Sequence, residues 1–314
     1  MFATLLGGLP RPADVGGVED SIRHAMAAQE AAGLEPITDG RLRGEFAMMD
    51  LDPGVVVERW HLAAGLTDRA VKQALPGPYT LGRRVTQAGA AATQAGAGAT
   101  RGRAAATMQV AASLRAVVDA LAIGGCPMIE IEETEAHLIG VDDAERAIFV
   151  DAHRVLAEGI GRTHLSLSIV GGSVWETGLE TVTAAPYASF AFDLIAGADN
   201  WNLVTRLAGD RGVIAGALPA QASPADAKEV LLWAARYAAG SNGRGLDRVG
   251  LGSAGSWATL TWEEAVEKMG RLGEAARIAR LPGGEALARE LDPRAVDARR
   301  SAMGHDAPGR GRRT

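Results

Sequence analysis

The apolar positions of this chain recur with two periods that take turns along it. Short runs alternate at period two, and longer runs return every three or four residues. The first kind predict strands at 3–7, 35–38, 71–75, 127–132, 163–169, 187–193, 212–218 and 246–252. The second predict helices over 18–33, 141–159, 173–185, 200–209, 224–240 and 261–281, with two Ala-rich helical runs across roughly 80–124. Residues 55–62 (VVVERWHL) alternate as a strand does and are set aside as an excursion. Asp199, Ser223 and Thr261 stand where helix N-caps are expected, with Pro224 at a first helical position. Eight strand-then-helix units in about 250 residues are the arithmetic of an α/β chain folded as a (β/α)8 TIM barrel, with a doubly wound open sheet as the alternative.

Composition narrows the partners. The 314 residues are 47% hydrophobic and 22% charged, enough for one large domain, placed at 1–281. The remainder, 282–314, is polar and rich in arginine (Arg299, Arg300, Arg310, Arg312, Arg313). It is expected to form a C-terminal extension, partly disordered, with a mobile basic end. A single cysteine, Cys126, excludes an intramolecular disulfide and a zinc site needing two thiolates, and fits a reducing, cytoplasmic setting. A formal charge of −6 argues against sequence-independent nucleic-acid binding. The longest apolar run, Ala104 to Ile129, is interrupted by Arg115, Asp119 and Gly124-Gly125, so no membrane span is expected. The expected partner is a small molecule, with a homodimer or partner subunit left open.

In such a barrel the chemistry gathers where strands end and the following loops begin. Those positions carry Gly7-Gly8, Asp39-Gly40-Arg41, Pro76-Gly77-Pro78, the acidic run Glu130, Glu132 and Glu133, then His164, Ser166 and Ser168, then Asp193, and last Ser253 and Trp257. Alternation puts Glu130 and Glu132 on one face and Glu133 on the other or in the loop. Carboxylates pointing into a barrel are costly unless paired, and Lys72 and Arg41 are the candidate partners. His164 reads either as an acid/base or as a hydrogen-bonded barrel residue. Trp257 and Trp201 read as packing or as an aromatic wall, and His61, Trp60 and His137 as packing or loop residues. Arg11 and Arg43 read as surface charges, and Cys126, at the start of its strand, as a small buried hydrophobe. The Gly-rich pieces GGLP and VGGS lack the spacing of a nucleotide-binding loop and read as turns.

Six segments in order, LLGGLPRP (5–12), QEAAGLEPITDG (29–40), VKQALPGPYTL (71–81), GGCPMIEIEET (124–134), RTHLSLS (162–168) and GLGSAGSWATLTWEEAVEKMGRL (250–272), resemble the catalytic domain of cobalamin-independent methionine synthase. The resemblance runs to about residue 281. It implies a TIM barrel that holds zinc and passes a methyl group from a methyltetrahydrofolate to the thiolate of homocysteine. Carried across, the family's zinc-binding His-x-Cys reads His164-Leu165-Ser166, its ligand glutamate falls at or near Asp193, and its second cysteine matches Ala254 or Ser253. Neither thiolate is present, and neutral serine is a poor zinc donor. A metal, if bound, is expected on His164 and Asp193, and no cofactor is assigned with methyltetrahydrofolate left as a co-substrate.

The implied amino-acid pocket is also altered. The family's carboxylate-binding Ile-Gly-Ser reads Leu6-Gly7-Gly8, its amine-binding glutamate aligns with Arg41, and its acidic pair is kept as Glu132-Glu133. The expected activity is methyl or alkyl transfer, or related C–S chemistry, on a small amino-acid-like or thiol-derived substrate that carries an additional anion. His164, Glu132 and Asp193 are the expected catalytic groups. Gly7, Gly8, Asp39, Arg41, Lys72, Glu133, Ser166 and Trp257 are the expected substrate contacts. A noncatalytic binding protein on the same barrel and a metal-free lyase or decarboxylase are the alternatives.

Overall fold

The computed structural model describes residues 1–13, 15–44, 51–89, 97–221 and 226–282. Those residues form one sheet, all parallel, with seven strands: β1 (Phe2–Thr4), β2 (Gln73–Pro76), β3 (Met128–Glu133), β4 (His164–Ile169), β5 (Ser189–Asp193), β6 (Gly212–Leu218) and β7 (Val249–Ser253). Their lateral order, β1-β7-β6-β5-β4-β3-β2, runs backwards through the chain and leaves β1 and β2 as the two edges. Between those edges lies the segment predicted as a strand at 35–38. Its Glu35 N–H donates to Ala3 O at 2.8 Å, Ile37 N–H to Ala70 O at 2.9 Å, and Lys72 N–H to Ile37 O at 3.0 Å. The sheet is therefore curled until its edges share one connecting segment, a TIM-barrel-like α/β arrangement.

The helices are α1 (Val18–Ala31), α2 (Pro53–Ala64), α3 (Pro78–Gly89), α4 (Ala97–Ile123), α5 (Asp143–Ala157), α6 (Leu179–Val182), α7 (Asn200–Arg206), α8 (Lys228–Gly240) and α9 (Trp262–Ala279). The stretch 55–62, read as alternating, is corrected to helix α2. Asp52 caps it by accepting from Val55 N–H at 2.9 Å, Pro53 occupies its first turn, and Val56, Trp60 and Ala63 form its buried stripe. The N-cap expected at Thr261 is formed, and the structure makes it a capping box with Glu264. Asp199 flanks α7 without a capping bond. The predicted helix over 173–185 shortens to the four residues of α6. Ser223, Pro224 and the extension from residue 283 onward lie outside the described residues.

Helix α4 contains one stretch, Thr100–Ile123, long and apolar enough by length and composition to cross a membrane. Its Val110, Leu114, Val117, Val118 and Leu121 are buried in the layer between helices and sheet, and Arg115 pairs with Asp119 at 3.0 Å on its open side. The sheet's outer face supplies Ile129, Ile131, Leu165, Leu167, Phe190 and Phe192 to that same layer. Its inner face holds only a small apolar cluster, Leu6, Met128, Val170, Ala191 and Ile214. The alternation of β3 and β4 thus turns Glu130, Glu132, Ser166 and Ser168 into the lumen. Cys126 is buried, as expected of a small hydrophobe, and burial pushes its thiol up to about 11.

Candidate functional site

The loop after the 35–38 segment aims one guanidinium across the mouth of the lumen. Asp39 Oδ1 accepts from Arg41 N–H at 3.0 Å, an Asx turn that holds Arg41 at φ 55°, in the left-handed region. Non-glycine residues adopt that conformation at a cost, and the surrounding contacts must overdetermine it. The contact here is a fork: Arg41 Nη1 donates to Glu132 Oε1 at 3.0 Å and Nη2 to Oε2 at 2.6 Å, with the two side chains 13% and 4% exposed. The sequence-level expectation that the strand carboxylates find Arg41 and Lys72 is met in both cases.

Arg41 and Glu132 line a cleft of about 470 Å³ together with Asp193 and Arg84. Asp193, the last residue of β5, is buried. Its Oδ1 accepts from the N–H groups of Ile195 (3.0 Å) and Ala196 (2.9 Å), and its Oδ2 from Gly171 N–H at 3.2 Å. Buried Asn200 secures both loops, donating to Asp193 O at 2.9 Å and Gly172 O at 3.1 Å and accepting from Val174 N–H at 2.9 Å. Arg84, on α3, donates to Glu135 and Thr134, both at 3.1 Å. The remaining wall is neutral: Thr134, Val170 and Gly171 on one side, Ala254, Gly255 and Ser256 on the other. Ser256 exchanges hydrogen bonds with Gly8 N–H and O at 3.2 Å each, and a Cβ on Gly7 (φ +83°) would lie 2.6 Å from Ser256 Cα. The loops after β1 and β7 therefore cross with no room for a side chain, which explains glycine at Gly7.

Several expected contacts stand elsewhere. His164 is the first residue of β4, so its strand separates it from Val170 at the mouth by about 20 Å, at ~3.3 Å per residue. There its Nε2 pairs with Ser189 Oγ at 2.8 Å. Ser166, which accepts from Ser189 Oγ at 2.9 Å, is buried in the lumen below the mouth. Lys72 lies deeper still, its Nζ donating to Glu130 Oε2 at 2.8 Å and to Leu5 O at 2.6 Å with no exposure of either side chain. Glu133 points away from the lumen and caps α3: its oxygens accept from Tyr79 N–H at 2.9 Å, Thr80 N–H at 2.7 Å and Thr80 Oγ at 2.5 Å. Trp257 is buried packing, 1% exposed, not an aromatic wall. Sequence reasoning missed Asn200, Arg84 and Ser256, whose roles are visible only once loops distant in the chain are brought together.

The donor set at this mouth does not suit a thiolate-held zinc ion. Among the described residues the cleft offers two carboxylates, each already engaged, and neutral hydroxyls, with Ala254 contributing only a methyl group. Among the described residues no three His, Cys, Asp or Glu side chains converge as a metal site would require.

No protein-family model matches this chain, and no curated protein matches it. Solved structures do. A B12-independent methionine synthase from Shewanella sp. W3-18-1, in complex with selenomethionine, superposes with a TM-score of 0.72 at 15% identity, over 88% of this chain and 97% of that one. A putative vitamin-B12-independent methionine synthase from Listeria monocytogenes gives a TM-score of 0.65 at 14% identity, over 88% and 97%. A methyltransferase from Methanosarcina mazei gives 0.59 at 12% identity, over 87% and 94%. At such identities the likeness is one of fold, and the chain shares its fold with methionine-synthase-like proteins and a methyltransferase over most of its length.

Proposed function

We propose that this chain is a methionine-synthase-like enzyme of the methyl-transfer type, a single (β/α)8 barrel whose eighth stave is the 35–38 segment. Its substrate is a small amino-acid-like or thiol-derived zwitterion. The observation that carries this reading is the Arg41–Glu132 fork, which sets one cation and one anion side by side in a cleft of about 470 Å³ at the carboxyl ends of the strands. A substrate ammonium can share Glu132 and a substrate carboxylate or other oxyanion can share Arg41, while Asp193, fixed by three N–H groups, supplies a second negative wall. Methyltetrahydrofolate is the co-substrate to test first. The donor chemistry supports a transfer that does not depend on thiolate-bound zinc. Binding without turnover is the second reading, favoured by the lack of any imidazole or thiol among the described cleft-lining residues.

The test is methyl transfer from methyltetrahydrofolate to homocysteine, assayed in chelator-treated and in zinc-supplemented buffer. We expect equal rates in the two, and a His164→Ala variant within about twofold of the parent, since His164 sits at the opposite end of its strand. A rate that appears only with zinc, or one that vanishes in His164→Ala, would overturn the metal-free assignment. Ligand binding without any transfer would favour the second reading.

A further inference from the structure

We propose that the loop between β4 and α6 carries a second ligand site, separate from the mouth, for a phosphate-bearing small molecule held between Arg146 and Arg206. These two side chains, from α5 and α7, face a cleft of about 410 Å³ whose wall includes Thr177 and Thr181. Arg146 is fixed in place by backbone carbonyls: Nε donates to Gly140 O at 3.2 Å and Nη2 to Glu176 O at 2.5 Å. Its one acidic partner among the described residues, Asp143 at 3.1 Å, is 94% exposed and hence well screened. Arg206 makes no ion pair with a described carboxylate. Its guanidinium lies over the Trp175 ring, 4.5 Å from the centroid, which orients the plane without neutralising the charge.

Thr177 lies behind that wall. The residue is 2% exposed, and its hydroxyl oxygen is buried with no hydrogen-bond partner among the described residues. Two guanidinium groups facing one cleft match a tetrahedral oxyanion better than a cation or an apolar group. Glu180 also lines the cleft, and being exposed it stands at the rim. The volume exceeds what a bare phosphate fills and falls in the range of small-molecule sites, which favours a phosphomonoester with a short organic body.

The experiment is a calorimetric titration of the full chain with inorganic phosphate and, separately, glycerol 3-phosphate, at constant ionic strength set with chloride. Saturable binding is expected with both probes, and tighter binding of the ester shows that the organic body is recognised, whereas equal affinities identify free phosphate as sufficient. Arg206→Gln and Arg146→Gln should each weaken binding by at least about fivefold, while far-ultraviolet circular dichroism stays unchanged. Absence of saturable binding up to about 10 mM, or affinity unchanged in both variants, would overturn the proposal. Neither result bears on the mouth, whose residues these variants do not touch.

Discussion

Replacing Lys72 by methionine is expected to cost about 3–5 kcal/mol of folding stability, the range for breaking a buried ion pair from one side. Lys72 and Glu130 are both fully buried in the lumen, 2.8 Å apart, and Lys72 also satisfies Leu5 O. Without the ammonium, ionising Glu130 means placing a charge with no cation beside it in a region from which water is excluded. Burial already pushes its carboxyl above the usual range, with Lys72 the main influence drawing it back. The sign of the pH dependence follows. A carboxyl whose folded pKa is raised binds a proton more readily folded than unfolded, so its contribution favours folding at low pH and declines as pH rises through the folded value. The variant's deficit should therefore be largest near neutrality and shrink as pH falls towards 5. Adding Glu130→Gln should recover much of the loss, because the pair couples. Urea titrations at several pH values measure all three; a Lys72→Met protein as stable as the parent would rule out the pairing.

The second large effect is expected at Glu133. Its carboxylate accepts from two N–H groups and a hydroxyl at the start of α3, and Oε1 also meets His153 Nε2 at 3.0 Å. His153 in turn meets the Tyr187 hydroxyl at 2.6 Å, and Thr80 Oγ accepts from Thr134 and Glu135 N–H at 3.0 and 3.1 Å. One carboxylate thus ties the start of α3, the loop after β3 and helix α5 into a buried network, and a Cβ on Gly77 would overlap it. Glu133→Ala leaves at least two buried N–H groups unmatched at about 1–3 kcal/mol each, for a total near 3–5 kcal/mol given partial relaxation. Glu133→Gln, which keeps an acceptor and loses the charge, should fall between. Because α3 carries Arg84, the alanine variant should also loosen the cleft, seen as faster amide exchange over 77–84 and 134–135. Protection unchanged in those segments would contradict the role assigned to Glu133.

The repeating strand and helix periods were legible because each β-strand here has one apolar outer face and each long helix a single buried stripe. The acidic strand was legible in detail: period two alone separates Glu130 and Glu132 from Glu133, and electrostatics alone asks for Lys72 and Arg41 as partners. Residues 55–62 misled because VVVERWHL satisfies a period of two as well as the 56–60–63 stripe, and the Asp52-Pro53 start signal ahead of it was not read. His164 misled because a motif match fixes residue order and not the height at which a strand begins. Two residues separate a mouth position from one below it, and β4 begins at His164 itself. Asn200 and Ser256 left no sequence signal, since each matters through backbone groups of loops remote in the chain.

The central claim is that Arg41 and Glu132 hold a zwitterion at the mouth without help from zinc. Calorimetric titration of chelator-treated protein with homocysteine and with methionine tests it most directly. The account predicts saturable binding that falls at least about tenfold in Glu132→Gln and in Arg41→Ala, the loss expected for one charge-assisted hydrogen bond. Binding that appears only after zinc is restored, or that both variants leave unchanged, would contradict it.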